Sequence, residues 1–206
     1  MIREHVLTES QLALAEGLLP HFPEFYLAGG TALALLIGHR RSLDFDLALP
    51  GPISPFSIER RLHAAGFAVQ HTMTATTDEL SILVAGVKIT FFTFPFAVPH
   101  DIIWGRAGIN LPGTEELAAM KAYALGRRSK WKDYVDLYFL LKTHLDMEAL
   151  IAKANILFTG HFNARLFREQ LCYFADMDFS EEVEYLCISP SLEEIQAFLT
   201  EAATRI

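Results

Sequence analysis

The sequence predicts an α+β protein in two parts, a mixed sheet with helices followed by a helical bundle. Two observations carry this. Residues up to about 94 hold short β-rich runs separated by glycine and proline turns, with brief helical patterns between them. From Thr114 onward the apolar residues recur at helical period. The expected lobes are residues 1–110 and 111–206, and with 51% of its residues hydrophobic the chain can bury a sizeable core.

Thr8 and Gln11 form a capping-box pattern that opens an amphipathic helix through Leu18, before Pro20. Glu24 to Ala28 reads as a short strand feeding the turn Gly29-Gly30. Thr31 to Ile37 follows as a helix too apolar to be exposed, so it must lie against the sheet. Asp44 to Leu47 reads as a strand closed by Pro50-Gly51-Pro52, and Ile58 to Ala65 as a helix ending at Gly66. Phe67 to Met73, Glu79 to Val84 and Val87 to Phe94 are β-rich, the last two joined as a hairpin through Ala85-Gly86. Pro95 to Pro112, with Asp101, Trp104 and Arg106, is expected to connect the lobes. Glu115 and Glu116 sit in the first turn of the helix that Thr114 begins. Further helices are expected near Met147 to Leu157, Ala164 to Phe174 and Leu192 to Thr200, the last behind a capping box of Ser191 and Glu194.

A net charge of −8 argues against a surface built for broad non-specific nucleic-acid binding, while leaving room for a local basic patch. Cys172 and Cys187 have no C-x-x-C partner and no histidine at ligand spacing, which predicts reduced thiols. His100, His144 and His161 are isolated, without an i,i+4 histidine. No signal-peptide core and no long apolar run is visible, so a cytoplasmic protein without a membrane span is expected.

The chemistry is concentrated in two stretches. The first is Leu27 to Leu49, LAGGTALALLIGHRRSLDFDLAL. Gly29 and Gly30 can turn sharply and bring backbone N–H groups to a phosphate; Thr31 is the expected N-cap, where the helix adds partial positive charge. Asp44 and Asp46 are two apart on an expected strand, so their carboxylates share a face. Such a pair suits Mg²⁺, which takes one or two carboxylates plus substrate phosphates. The second stretch is KAYALGRRSKWKDYVDLYFLL. In it Lys121 emerges from an apolar helix, Asp133 and Asp136 share one face of the next, and Arg127, Arg128, Lys130 and Lys132 form the densest basic cluster. Each stretch also has a plain structural reading, as a turn beside a solvated edge and as a charged helix pair.

The first stretch, with Gly38-His39-Arg40 and Ser42 between turn and carboxylates, resembles the opening motif of the AbiEii/AbiGii toxin family. These are MenT-like nucleotidyltransferases of the polymerase-beta-like superfamily. The second resembles that family's other signature, and the two with their connecting strands cover roughly residues 26 to 142. The resemblance implies a nucleoside triphosphate held between an α/β lobe and a helical lobe. Gly29, Gly30 and Thr31 would face its phosphates, with Arg40 and Ser42 flanking them. Asp44 and Asp46 would hold Mg²⁺ or Mn²⁺. Lys121 would neutralise phosphate charge, and Asp136, with Asp133 behind it, would act at the acceptor. It implies a toxin held in check by an antitoxin and acting on tRNA, whose backbone Arg127, Arg128, Lys130 and Lys132, with Arg40 and Arg41, would track. Relatives often carry an acid where this chain has Thr90, which supplies no charge and is a poor general base. A non-catalytic nucleotide-binding module, or a nucleotidyltransferase for a small molecule or a protein, therefore stays open.

Overall fold

The computed structural model describes residues 1–205, which fall into two compact units, Met1–Gly113 and Thr114–Ile206. In the first, α1 (Glu9–Leu18) starts from the expected capping box: the Thr8 side chain accepts from the Gln11 amide, and the Gln11 side chain accepts from the Thr8 amide. Then come β1 (Tyr26–Ala28), α2 (Gly29–Ile37), β2 (Phe45–Leu49), α3 (Pro55–Ala64), β3 (Val69–Ala75), β4 (Glu79–Val84), β5 (Val87–Thr93), β6 (Ile102–Trp104) and β7 (Ile109–Leu111).

The strands form one mixed sheet in the order β3-β4-β5-β2-β1-β7-β6. β2 runs parallel to β5 and β1 parallel to β7, while the remaining neighbours are antiparallel. The β4–β5 hairpin turns through Ala85 and Gly86, both at positive φ, as the short loop demands. Helix α2 packs on β1 and β2 and buries Thr31, Ala32, Leu33, Ala34, Leu35 and Ile37, which explains an apolar helix with no polar face. It stops at Gly38, in the left-handed region, where the Arg3 guanidinium donates to the Ile37 carbonyl.

Two expectations are corrected in this unit. The glycines do not precede α2; Gly29 and Gly30 are its first two residues, and Ala28 is the N-cap. Pro95 to Pro112 is not merely a connection, because it contributes β6 and β7 to the sheet. Trp104 is buried there, with its indole N–H donating to Glu4, and Arg106 pairs with Glu4 and Glu16.

The second unit is helical: α4 (Thr114–Leu125), α5 (Trp131–Thr143), α6 (Met147–Leu157), α7 (Ala164–Leu171) and α8 (Leu192–Thr204). α6, α7 and α8 are capped by the side chains of Asp146, Asn163 and Ser191, each accepting from the amide three residues on. α4 lies against α5, α6 and α7, and α8 against α5 and α7. Its core centres on Leu117, Val135, Tyr138, Leu150, Phe158, Leu171 and Leu199. Among the described residues no helix is long and apolar enough to cross a membrane.

Candidate active site

The start of α2 and the strand β2 build the first half of the site. A Cβ placed on Gly29 would come within 2.1 Å of Asp46 Oδ2, so the carboxylate rests against a bare α-carbon. Its φ of 67° excludes most other residues from the same position. A Cβ on Gly30 would meet Arg40 Nη2 at 2.5 Å and Ser42 Oγ at 3.2 Å. The two glycines therefore seat a carboxylate, a guanidinium and a hydroxyl against the first turn of a helix, whose leading amides have no partners within the helix.

Thr31 is not the cap. It is buried in the first turn, and its hydroxyl donates to the Asp44 carbonyl. Asp44 stands one residue before β2, so the strand argument for a shared face reaches Asp46 alone. The loop entering β2 is fixed from a second direction, because buried Gln11 donates through Nε2 to the Ser42 carbonyl at 2.9 Å. Arg40 is 2% exposed and donates to the Arg41 carbonyl, which removes it from any RNA-tracking surface.

The neighbouring strand decides what stands beside Asp46. Ala28, Asp46, Thr90 and Ser81 pair in register across β1, β2, β5 and β4. Thr90 thus occupies the row of Asp46, and its Oγ1 lies 3.4 Å from the Oγ of buried Ser81. The position expected for a third acid carries two hydroxyls. No group of three or more His, Cys, Asp or Glu arranged for a metal occurs among the described residues. Asp46 is the carboxylate of this row, and a Mg²⁺ ion in general takes one or two protein carboxylates, keeps several waters and completes its shell with substrate phosphates.

In the helical unit, α4 presents Lys121 to α5. Its Nζ lies 2.8 Å from Asp133 Oδ1 and 2.6 Å from Asp136 Oδ2. Arg128 adds a two-pronged contact to Asp133, from Nε at 2.8 Å and Nη2 at 3.2 Å. Lys121, Asp133 and Asp136 are 6%, 1% and 0% exposed, so the ammonium expected to emerge from the helix is instead sealed between carboxylates. Burial alone would raise the Asp133 pKa, but Lys121 and Arg128 outweigh it and hold the carboxyl below its ordinary value.

The basic cluster is largely consumed within its own unit. Lys130 and Lys132 both pair with Glu181, and Arg128 with Asp133. Sequence reasoning missed Gln11 and Glu181 because each acts on a residue far along the chain, and Ser81 because its contact with Thr90 across the β4–β5 hairpin leaves no pattern of its own. Only the Gln11 capping pattern left a local signal, and that signal pointed to helix initiation.

The family model for the AbiEii nucleotidyl transferase toxin of type IV toxin–antitoxin systems matches residues 12–99 and 95–203. The uncharacterised protein aq_aa25 of Aquifex aeolicus is 34% identical over 184 residues, 85% of this chain and 84% of that protein. MenT4, a nucleotidyltransferase toxin of Mycobacterium tuberculosis, superposes with a TM-score of 0.60 at 15% identity, covering 98% of this chain and 86% of its own. JHP933 of Helicobacter pylori superposes at 0.55 with 18% identity, covering 98% and 92%. At such identities the two superpositions speak for the fold, which is that of the nucleotidyltransferases. This chain belongs to the AbiEii nucleotidyltransferase toxin family. It is thereby a nucleotidyltransferase enzyme by family, and that family is one of toxins from type IV toxin–antitoxin systems, in a class that generally uses divalent metals.

Proposed function

We propose that the chain transfers a nucleoside monophosphate from a Mg²⁺-bound nucleoside triphosphate to a hydroxyl of tRNA. The observation that carries this reading is the Asp46 carboxylate seated on Gly29 at the start of α2, which brings a hard anionic ligand and the leading amides of a helix to one place. Gly29, Gly30 and Thr31 offer backbone N–H groups to the phosphates. Arg40, buried beneath Gly30 beside Ser42, adds fixed positive charge there. Asp44 and Asp46 would hold Mg²⁺, or Mn²⁺ in its place, which supplies charge neutralisation for the phosphates when bound.

The acceptor oxygen forms a bond to the α-phosphorus as the bond to the bridging oxygen breaks and pyrophosphate leaves; the acceptor proton passes to water. Lys121, sealed between Asp133 and Asp136, holds α4 to α5 and is not assigned to phosphate charge. Thr90 and Ser81 contribute hydroxyls beside Asp46 and no general base. Thr90 is also what supports the second reading, a module that binds nucleotide without turning it over.

The test is incubation with each α-³²P-labelled nucleoside triphosphate, Mg²⁺ and total tRNA, beside an Asp46→Asn variant. Label in RNA with the native protein alone is expected, and the Asp46→Asn protein should keep its thermal transition while losing transfer. Label on protein or a small molecule would move the acceptor to that class. Triphosphate binding without any label would establish the non-catalytic module.

A further inference from the structure

We propose that a recess between α4 and α7 binds one unpaired nucleobase of the RNA acceptor, with Arg127 on the adjoining phosphodiester. This rests on the RNA reading above and adds a site to it. The recess has a volume of about 250 Å³ and includes Tyr123, Gly126, Arg127, Phe162, Asn163 and Leu166 in its wall. Tyr123 is two residues from Lys121 on α4, a rotation of about 200°, so the recess lies on the far side of that helix from the buried Lys121 cluster.

Its construction is that of a stacking platform. The Arg127 guanidinium carbon lies 3.5 Å from the Tyr123 ring centroid, and its Nη1 donates to the Tyr123 carbonyl, which fixes a flat cation over the ring. Beneath it the Tyr123 ring packs on Phe158 at 4.6 Å. Phe162 packs on Phe167 at 5.7 Å, and Leu166 is 46% exposed beside it. Nucleobases stack on guanidinium planes and aromatic rings through their faces, irrespective of base identity.

The size and the charge choose the occupant. Pockets that enclose a whole drug-sized ligand run to about 300–1,000 Å³; this recess admits one ring system and leaves its sugar and phosphate outside. Of the four clustered cations, Arg128, Lys130 and Lys132 are paired with carboxylates, whereas Arg127 has no carboxylate partner among the described residues. One uncompensated cation matches the single charge of a phosphodiester. A free nucleoside triphosphate would bring several negative charges to that one cation.

The experiment measures fluorescence anisotropy of a labelled oligoadenylate decamer and of total tRNA over a range of KCl concentrations. It compares the native protein with Arg127→Ala, Arg127→Lys and Leu166→Trp, the last filling the recess from an exposed position. Arg127→Ala should weaken binding by about tenfold or more and reduce the slope of log affinity against log salt by about 0.7. Arg127→Lys should keep the slope and still lose affinity, because an ammonium restores charge without the plane. Leu166→Trp should weaken binding with the slope unchanged. Native affinity in all three variants, with tRNA labelling intact, would overturn the recess and leave the transferase reading standing. Absence of RNA binding by the native protein would overturn both the recess and the tRNA acceptor. Loss of free ATP affinity in these variants, with RNA affinity retained, would show the recess to be a mononucleotide site and overturn the proposal.

Discussion

Gly29 holds an unusual combination of demands: a φ of 67°, the first position of a helix, and a carboxylate oxygen where its side chain would be. An alanine there pays for the left-handed conformation, about 1–2 kcal/mol, and must also push Asp46 aside. Gly29→Ala is therefore expected to lower the melting temperature by several degrees and to abolish Mg²⁺-dependent triphosphate binding. Calorimetry and isothermal titration read the two effects separately. Binding at native affinity would mean that the Asp46 carboxylate is not the metal seat. Glycine at this site was legible in the sequence as a turn before a helix, but its reason was not. The constraint comes from Asp46, which approaches from a different strand, and a side chain arriving from elsewhere leaves no mark on its neighbour's local pattern.

The pair α4–α5 shows the same limit at the scale of an element. The i,i+3 spacing put Asp133 and Asp136 on one face, and the structure has both carboxylates on Lys121. What spacing did not reveal is which way that face looks, and it looks inward. Removing one member of such a buried set leaves charge uncompensated, at a cost of about 3–5 kcal/mol. Asp136→Ala should accordingly lower the urea midpoint by about 1 M or more, the loss divided by a slope of about 1–3 kcal/mol/M, whereas Asp46→Asn should leave it near native. If Asp136→Ala unfolds at the native midpoint, the cluster is solvated in solution and its acids are reachable by substrate. The elements with sustained periodicity or explicit caps were readable to within a few residues: α1 behind Thr8, α6 from its apolar period, α8 behind Ser191, and the β4–β5 hairpin. β6 and β7 were not, because three residues are too few to show alternation and they are embedded among prolines and glycines. Their place in the sheet comes from pairing with β1, a contact made across the length of the unit.

Over the whole molecule the net charge of −8 coexists with cations that are mostly spoken for, and acid is the condition that exposes this arrangement. Lys130 and Lys132 hydrogen-bond the Glu181 carboxylate and bring its pKa from 4.5 down to about 2. Asp133 shifts in the same direction, held there by Lys121 and Arg128 against its burial. For both groups the unfolded chain binds a proton more readily than the folded one, so their contribution to stability is complete above the unfolded pKa. It is lost as pH falls through the folded value. For Glu181 that window runs from about 4.5 to about 2. Glu181 is about a third exposed, and solvent screening makes its share a modest part of the total. The native protein is thus expected to lose stability on acidification across this range, and Glu181→Gln, which cannot take up the proton, should lose it less steeply. Urea midpoints measured at half-unit steps of pH compare the two slopes. Parallel curves would place Glu181 in solvent, away from both lysines. Lys130 and Lys132 would then join Arg127 as uncompensated cations, and the single-phosphodiester argument for the α4–α7 recess would give way to a broader basic surface.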